Sequence, residues 1–316
     1  MIKLTIIIPY KNSDKSIIKT LRSIKSQKVN DNCYEVLLIN DFSNNKTTQI
    51  IKKYIHNFHN FKLFKSKKKT YGPGHARNLA IDLSKGKYIL FLDSDDCLKK
   101  KSLKKIIHIT NNNQGDIYAF NFKVFDKIKN MKRKKRHDLD LLKLKKKDIF
   151  EKYLETSIIP QVISNLFSKK FLIKNKIKFR NGYFEDLLFF LKSIYYAKSI
   201  TINKDIFYLK YNRKNSIVNS LSEKHIFYHF KAYTECYRFL KNKYPIKIKY
   251  FYLKGIIGLT AVYINKIIAS NIIQSKKNKF LNNLYKIFSK ILLASNLKYV
   301  YKSDKDKLVK NFFKLK

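Results

Sequence analysis

Cysteine is scarce in this sequence of 316 residues, and its few copies exclude two kinds of scaffold. Cys33, Cys97 and Cys236 are widely spaced, and the sequence has no CxxC pair and no cysteine–histidine ligand spacing. A disulfide framework needs an even set of cysteines, and a structural zinc site needs ligands in closely spaced pairs. Neither is expected here.

Long uninterrupted apolar runs are also missing. The N-terminal "MIKLTIIIPYKN" is apolar for only a few residues before Pro9, which is too short for a signal peptide and typical of a strand. The longest apolar stretch, residues 251–273, is interrupted by Lys254 and Lys266. We therefore expect an amphipathic or buried helix there rather than a membrane span. These features predict a cytoplasmic protein, with peripheral binding to the inner face of the cell membrane left open.

Acidic residues and arginine are both rare beside lysine. The chain has 22 acidic residues against 69 basic ones, only seven of which are arginine, and its formal net charge is +47. Proteins that read nucleic acid use arginine on phosphates and base edges, because its planar guanidinium donates paired hydrogen bonds. The high net charge makes a basic, non-enzymatic nucleic-acid-binding protein an alternative. The scarcity of arginine speaks against it, so no nucleic-acid partner is expected. The charge then reflects either compositional bias or attraction to an anionic membrane or acidic substrate.

Two periodicities alternate over the first hundred residues. Strands are expected at 3–9, 34–41, 61–65 and 87–93, and helices at 14–27, 46–58 and 75–85. Alternation with short connections predicts an α/β fold, Rossmann-like, with a mainly parallel central sheet and helices on both faces. Ligands of such sheets bind outside the carboxyl ends of the strands.

The rest of the chain is less regular. After residue 100, strands are expected at 116–125 and 199–211, and the charge run at 126–148 suits a loop or hairpin. A helical stretch is expected at 150–198 and a Lys-rich helical region from 221. We expect two domains, an α/β domain over residues 1–220 and a helical C-terminal region over residues 221–316. Apolar residues at helical spacing in that region suit either core packing or an anionic membrane surface.

Three of the few carboxylates crowd the end of one predicted strand, in "KYILFLDSDDCL" (87–98). Asp93, Asp95 and Asp96 repel one another unless a cation neutralises them. Mg²⁺ or Mn²⁺ would do so and would keep coordination positions for substrate phosphates. The alternative is an N-cap for the following helix, but a single aspartate suffices for that.

Five short motifs follow one another along the first two thirds of the chain. They are "IIIPYKN" (6–12), "VLLINDFSNNKT" (36–47), "GPGHARNLAI" (72–81), "YILFLDSDD" (88–96) and "FEDLLFFLKS" (184–193). Their order and spacing resemble those of the family 2 glycosyltransferases. The resemblance implies a GT-A fold and a metal-dependent, inverting transfer of a hexosyl or N-acetylhexosaminyl group. It further implies a nucleotide-sugar donor, UDP-linked, and a saccharide or lipid-linked saccharide acceptor in the synthesis of a bacterial surface glycan.

The resemblance also implies roles for single residues. Asp93 and Asp95 match the DXD motif, with Asp95 expected on the metal and Asp93 on the metal or the ribose. The positions that match nucleotide-binding residues are Pro9, Tyr10, Asp41, Gly74, Arg77 and Asn78. Asp186 matches the catalytic base, and Glu185 stands beside it.

The chemistry of sugar transfer needs groups of these kinds. A cation at the diphosphate stabilises the leaving group, and a single base on the opposite face of the sugar gives inversion. Glu185 could raise the pKa of Asp186 by repulsion or help to bind the acceptor, and both acids could instead complement a helix dipole. For Arg77 the alternative to a diphosphate or ribose contact is an ion pair with Asp82 or with a carboxylate of the DXD turn.

Some positions depart from the usual motifs of the family. Lys11 stands where a tyrosine frequently faces the base, so stacking falls to Tyr10 or is absent. Phe42 replaces a glycine, which predicts a turn without positive φ. His75 is expected in a loop or at a helix N-terminus rather than on a phosphate. A sugar nucleotidyltransferase is a further alternative, but no glycine precedes Gly72, so the glycine-rich loop of that class is missing.

Overall fold

The structure is a computed structural model. It describes residues 1–67, 70–112, 115–126, 131–133, 142–155, 162–212, 221–244 and 247–295, together with residues 309 and 313. Two compact units are present, the first formed by Met1–Lys143 and Pro160–Ser216 and the second by Leu144–Ile159 and Ile217–Lys316. The domain boundary proposed at residue 220 lies outside the described residues.

One sheet forms the centre of the first unit. Its strands in the described residues are β1 (Leu4–Tyr10), β2 (Tyr34–Asn40), β3 (Phe61–Lys65), β4 (Tyr88–Phe91), β5 (Cys97–Leu98), β6 (Ile117–Asp126), β7 (Met131–Arg133), β8 (Asn165–Ser168) and β9 (Ile200–Asn212). The strand order is β3-β2-β1-β4-β8-β6-β9-β5, and β7 pairs with β6. The neighbours from β3 to β4 are parallel, as are β6 and β9, whereas β8, β7 and β5 pair antiparallel. The predicted α/β class is confirmed, with a mixed sheet.

Ten α-helices are present in the described part of the chain. They are α1 (Ile17–Lys25), α2 (Asn45–Ile55), α3 (Gly74–Leu83), α4 (Ser102–Asn112), α5 (Lys146–Leu154), α6 (Lys169–Lys174), α7 (Asp186–Tyr196), α8 (Glu223–Leu240), α9 (Lys247–Ile268) and α10 (Gln274–Ser295). Every residue of β1 and β4 is buried, and so are six of the seven residues of β2. Strands that are buried on both faces must be covered on both sides, as the continuous apolar runs of the sequence predicted.

A proline fits inside β1 because of where β4 ends. The Ile7 carbonyl accepts a hydrogen bond from the backbone N–H of Leu92, so the backbone polar groups of Ile7 are directed at β4. The backbone of Pro9, two residues later, has the same direction. The pairing of β1 with β4 ends at Ile7 and Phe91. Pro9 therefore lies beyond the last pair, where its missing N–H breaks no ladder bond.

Two strands were missed by the sequence-based prediction. Residues 150–198 were expected to be helical, but β8 runs antiparallel between β4 and β6, preceded by a 3₁₀ turn at Val162–Ser164. The two-residue β5 follows the acidic turn directly. Both are too short for a period to show, since short apolar runs do not distinguish strand from helix. The hairpin expected within the charge run exists as β6–β7, and residues 127–130 and 134–141 lie outside the described residues.

The second unit is helical. A core cluster is formed mainly by α8, α9 and α10 and includes Phe230, Leu253, Ile257, Ile264 and Leu284. By length and composition Ile248–Ile268 could cross a membrane, and it is the one helix of the described residues that passes this test. Leu253, Ile257 and Ile264 of this helix are fully buried, whereas Val262 and Ile268 are 53% and 50% exposed, which fits the amphipathic or buried helix expected there.

Candidate active site

The three carboxylates of the acidic turn meet at the carboxyl end of β4. One oxygen from each of Asp93, Asp95 and Asp96 lies within 4.8 Å of the other two. Asp96 is buried, whereas Asp93 and Asp95 keep part of their surface exposed. Among the described residues this is the group of acidic, histidine or cysteine side chains whose spacing suits a metal ion. The grouping expected from the sequence is therefore present.

Asp96 is used by the protein itself. The Tyr208 hydroxyl donates to Asp96 Oδ2 at 2.6 Å, and the backbone N–H of Tyr211 donates to Asp96 Oδ1 at 2.8 Å. Burial, followed by the charges of Asp93 and Asp95, raises the pKa of Asp96 to about 8. Both of its oxygens thus hold β9 to the turn, which leaves Asp93 and Asp95 as the carboxylates that fit a hard divalent cation with oxygen ligands.

Arg77 connects the acidic turn to the start of α7. Its side chain is only 5% exposed. Nη2 donates to Asp93 Oδ1 at 2.8 Å, and Nη1 donates to Glu185 Oε1 at 2.5 Å. Burial alone would lower the pKa of Arg77, but the adjacent carboxylates raise it. The ion pair with the DXD turn, expected as the alternative, is formed, while Asp82 lies 3.6 Å from Lys178 instead.

The "GPGHARN" motif contacts the segment that leads into α7. Asn78 Nδ2 donates to the Phe179 carbonyl at 2.9 Å, and the Phe179 N–H donates to Asn78 Oδ1 at 2.8 Å. A Cβ on Gly74 would lie 2.6 Å from the Arg180 carbonyl oxygen, so only glycine allows this approach. Asn78 and Gly74 therefore hold the chain before Glu185, and their role at the nucleotide stays a prediction.

The two acids at the start of α7 have different surroundings. Glu185 is buried and its carboxylate bonds to Arg77, whereas Asp186 is partly exposed. Burial raises the pKa of Glu185 and Arg77 opposes that rise. Burial and then the charge of Glu185 raise the pKa of Asp186 to about 7, against the opposing charges of Arg77 and Lys210. Glu185 is thus a partner of Arg77, and Asp186 is the acid with a surface to offer a substrate.

The residues expected around the base lie at the ends of β1 and β2. Tyr10 is 1% exposed, and its hydroxyl lies 3.2 Å from Thr48 Oγ1, so its ring belongs to the core and cannot stack on a base. Its carbonyl accepts from the Asp41 N–H at 3.0 Å. Asp41 is buried, which raises its pKa, while Lys11 and His75 lower it. Of this set, Asp41 has the charged neighbours of a binding site.

The turn after β2 contradicts one prediction. Phe42 has φ of +56° and Asn12, in the turn after β1, has φ of +48°. Asn12 N–H donates to Ser43 Oγ at 2.8 Å, and Asn44 N–H donates to Asn12 Oδ1 at 2.9 Å, so the two turns brace each other. Phe42 thus adopts the left-handed conformation that its replacement of glycine was taken to exclude. The conformation costs a non-glycine residue about 1–2 kcal/mol.

The sequence matches the model of one protein family. The model of glycosyl transferase family 2 matches residues 5–177, more than half of the chain. The chain belongs to glycosyl transferase family 2. The family and the GT-A class predicted from the motifs are thereby confirmed. His75 lies in the first turn of α3, as expected.

Several curated relatives of the chain are named as glycosyltransferases. The poly(ribitol-phosphate) β-glucosyltransferase of Bacillus spizizenii is 30% identical over 211 residues, which make up 65% of this chain and 32% of that protein. The chain spans a third or less of the length of its first curated relatives.

Two solved structures of glycosyltransferases share the fold. TarS residues 1–349 from Staphylococcus aureus, in complex with UDP-GlcNAc, match with a TM-score of 0.60 at 18% identity, over 96% of this chain and 95% of that chain. The mannosyltransferase PcManGT from Pyrobaculum calidifontis, in complex with GDP-Man and Mn²⁺, matches with a TM-score of 0.54 at 12% identity, over 99% of this chain and 80% of that chain. At these identities the likeness concerns the fold alone.

Proposed function

We propose that this protein is an inverting glycosyltransferase. It moves a sugar from a nucleotide donor, UDP-linked, to a hydroxyl of a saccharide or lipid-linked saccharide during synthesis of a bacterial surface glycan. The observation that carries the proposal is the Asp93–Arg77–Glu185 chain of ion pairs, which links the acidic turn to the start of α7, where Asp186 lies. A charge-stabilising group for the leaving group and a base for the acceptor are the two requirements of such a displacement.

The leaving-group side of the site is the acidic turn. Asp95, together with Asp93, would hold the divalent cation, Mn²⁺ or Mg²⁺, which when bound supplies positive charge to the departing nucleoside diphosphate. The partial exposure of both carboxylates supports this role, and so does the Mn²⁺ present in the PcManGT complex. Arg77 orients Asp93 by a charge-assisted hydrogen bond.

The acceptor side of the site is Asp186. Its carboxylate takes the proton of the acceptor hydroxyl while that oxygen forms the new bond to the anomeric carbon and the bond to the nucleoside diphosphate breaks. Attack opposite the leaving group inverts the anomeric centre, so an α-linked donor gives a β-linked product. The β-glucosyl product named for the Bacillus relative is consistent with that outcome. Glu185 holds Arg77 and positions Asp186 without touching the substrate.

The nucleotide side of the site lies at the ends of β1 and β2. Asp41 is the residue proposed to accept a hydrogen bond from the uracil. Lys11 contributes positive charge near it, and His75 also lies close to it. Because Pro9 and the ring of Tyr10 are both buried, these two residues can contribute only their backbone to the base-binding turn.

A thermal-shift screen of nucleotide sugars, with Mn²⁺ and with a chelator, tests the proposed function. A ligand at about 100 times its Kd stabilises the folded state by about 2.7 kcal/mol, a rise of several degrees in Tm. We expect UDP-sugars to raise Tm in the presence of Mn²⁺ and to lose most of that effect in the chelator. ADP-glucose serves as the control nucleotide sugar. A panel in which no nucleotide raises Tm under either condition would contradict the proposal.

We further propose that the second unit binds an anionic membrane face, where a lipid-linked acceptor would be found. Residues 247–295 contain nine lysines and no acidic residue. Ile268 and Ile273, on either side of the turn between α9 and α10, are 50% and 71% exposed, and Lys276 and Lys277 follow them. Exposed apolar side chains beside lysines suit the headgroup region of anionic lipid.

Vesicle co-sedimentation tests this membrane proposal. We expect the protein to sediment with phosphatidylglycerol vesicles but not with phosphatidylcholine vesicles, and high salt to release it. The I268S/I273S variant should lose most of this binding, because it removes the apolar contact and keeps every charge. Val262→Ser, at another exposed apolar residue of α9, is the matched control and should bind as the wild type does. Equal binding to both lipids, or binding only to added RNA, would overturn the proposal.

A further inference from the structure

Tyr208 on β9 reaches the acidic turn from inside the protein. Its side chain is fully buried. The hydroxyl accepts a hydrogen bond from the backbone N–H of Asp93 at 3.2 Å and donates one to Asp96 Oδ2 at 2.6 Å. A single hydroxyl group therefore binds the first and the last aspartate of the turn, and Asp95 lies between them in the chain.

The neighbouring residues of β9 bind the same turn. Tyr211 N–H donates to Asp96 Oδ1 at 2.8 Å, and Lys99 N–H donates to the Phe207 carbonyl at 2.8 Å. Just after the turn, Leu98 of β5 pairs with Tyr208. Residues 93–99 are thus held along one side by β9, whose sequence signal, "FYLKY" (207–211), indicated only a strand.

The opposite side of the turn is fixed by hydroxyl groups near α1. The Ser94 carbonyl accepts hydrogen bonds from Ser16 Oγ at 3.0 Å and from Thr20 Oγ1 at 3.1 Å. Ser94 Oγ lies 2.7 Å from Ser13 Oγ. These contacts hold the middle of the turn, whereas Tyr208 holds its two ends. The backbone of Asp95 is thereby confined between two sets of hydrogen bonds.

We propose that Tyr208 is a positioning residue for the divalent-cation site. By binding the Asp93 backbone and the Asp96 carboxylate together, it fixes the distance and direction at which the Asp93 and Asp95 carboxylates face a cation. This inference rests on the proposed function, since it takes those two residues as the ligands. Removing a hydrogen-bonding partner of metal ligands typically weakens metal affinity about 10–100-fold.

The test is the Mn²⁺ affinity of the full-length Tyr208→Phe variant, measured by electron paramagnetic resonance in the presence of UDP. We expect the variant to bind Mn²⁺ at least about tenfold more weakly than the wild type. Its kcat/KM at low Mn²⁺ should fall and should recover as Mn²⁺ is raised. A purely structural role for the hydroxyl would lower Tm and leave both of these readouts unchanged.

Tyr34→Phe is the matched control. Tyr34 is a buried tyrosine of β2 whose hydroxyl donates to Asp31 Oδ1 at 3.2 Å, so its replacement also removes a tyrosine–aspartate hydrogen bond. It should lose a similar amount of stability and keep the Mn²⁺ affinity of the wild type. Should Tyr208→Phe fail to fold, Asp96→Asn disturbs the same anchor and is expected to weaken Mn²⁺ binding in the same direction.

The outcomes separate this inference from the function on which it rests. A wild-type protein that binds no Mn²⁺ would overturn the cation site itself, and with it the role of Tyr208. A wild type that binds Mn²⁺, with a folded Tyr208→Phe that binds it equally well, would overturn only the role of Tyr208. Weakened binding in Tyr208→Phe together with unchanged binding in Tyr34→Phe supports it.

Discussion

The Asp186→Asn variant is expected to lose about 10²–10⁴-fold in kcat while it binds the donor nucleotide as the wild type does. Asparagine fills the same space, but its amide cannot take a proton from the acceptor hydroxyl. The measurement is release of the nucleoside diphosphate in the presence of acceptor, alongside calorimetric titration of the donor. Asp82→Asn, at an exposed residue of α3 that is paired with Lys178, is the control and should keep both properties. Activity retained in Asp186→Asn would refute Asp186 as the base.

The pH dependence of the wild type gives a second readout of the same residue. A base works in its deprotonated form, so kcat/KM should rise with pH as the Asp186 carboxyl loses its proton. Because burial and Glu185 raise that pKa to about 7, the rise should be centred near pH 7 rather than near the usual pKa of an aspartate. Asp186→Asn should lose this limb of the profile.

Much of the parallel half of the sheet could be predicted from the sequence. The strands from β1 to β4 are strand-length apolar runs separated by helical periods, and each is followed by polar residues where the chain leaves the sheet. That pattern places the ends of β1, β2 and β4 at one edge. In the antiparallel part, β5 and β8 are set by which neighbours they pair with, and two to four residues carry no period of their own.

Separation along the sequence decides what could be predicted about the acidic turn. Its three carboxylates are close together in the chain, whereas the residues that bind them are not. Asp93, Asp95 and Asp96 are adjacent in sequence, so their crowding is visible without a structure. The contacts of Arg77 with Glu185, and of Tyr208 with Asp96, join residues more than a hundred positions apart. No local pattern reports such pairs.

Some contacts of the motif residues could not be predicted from the sequence either. Asn78 and Gly74 were predicted to bind the nucleotide, which stays a prediction, and the motif did not reveal their contacts with the chain before α7. Phe42 was expected to change the turn, yet hydrogen bonds between the two turns hold it at positive φ. Tertiary hydrogen bonds decide both cases, and they overrule the residue type at the position.

Removal of Asp95 should have the largest effect on the donor side. In Asp95→Ala the site keeps Asp93 bound to Arg77 and Asp96 bound to Tyr208, so the fold of the turn is retained. The cation loses a ligand, and we expect Mn²⁺ to stop strengthening nucleotide binding, a loss of about 100-fold or more in affinity with metal present. Turnover should become undetectable. Asp205→Ala, at an exposed aspartate of β9 paired with Lys105, is the control that should change neither.

Calorimetric titration of UDP, with and without Mn²⁺, into the wild type and into Asp95→Ala tests the central claim most directly. The claim is that the acidic turn holds a divalent cation against the diphosphate of the donor. It predicts that Mn²⁺ tightens UDP binding to the wild type and has little effect on Asp95→Ala. Equal tightening of UDP binding by Mn²⁺ in both proteins would contradict it.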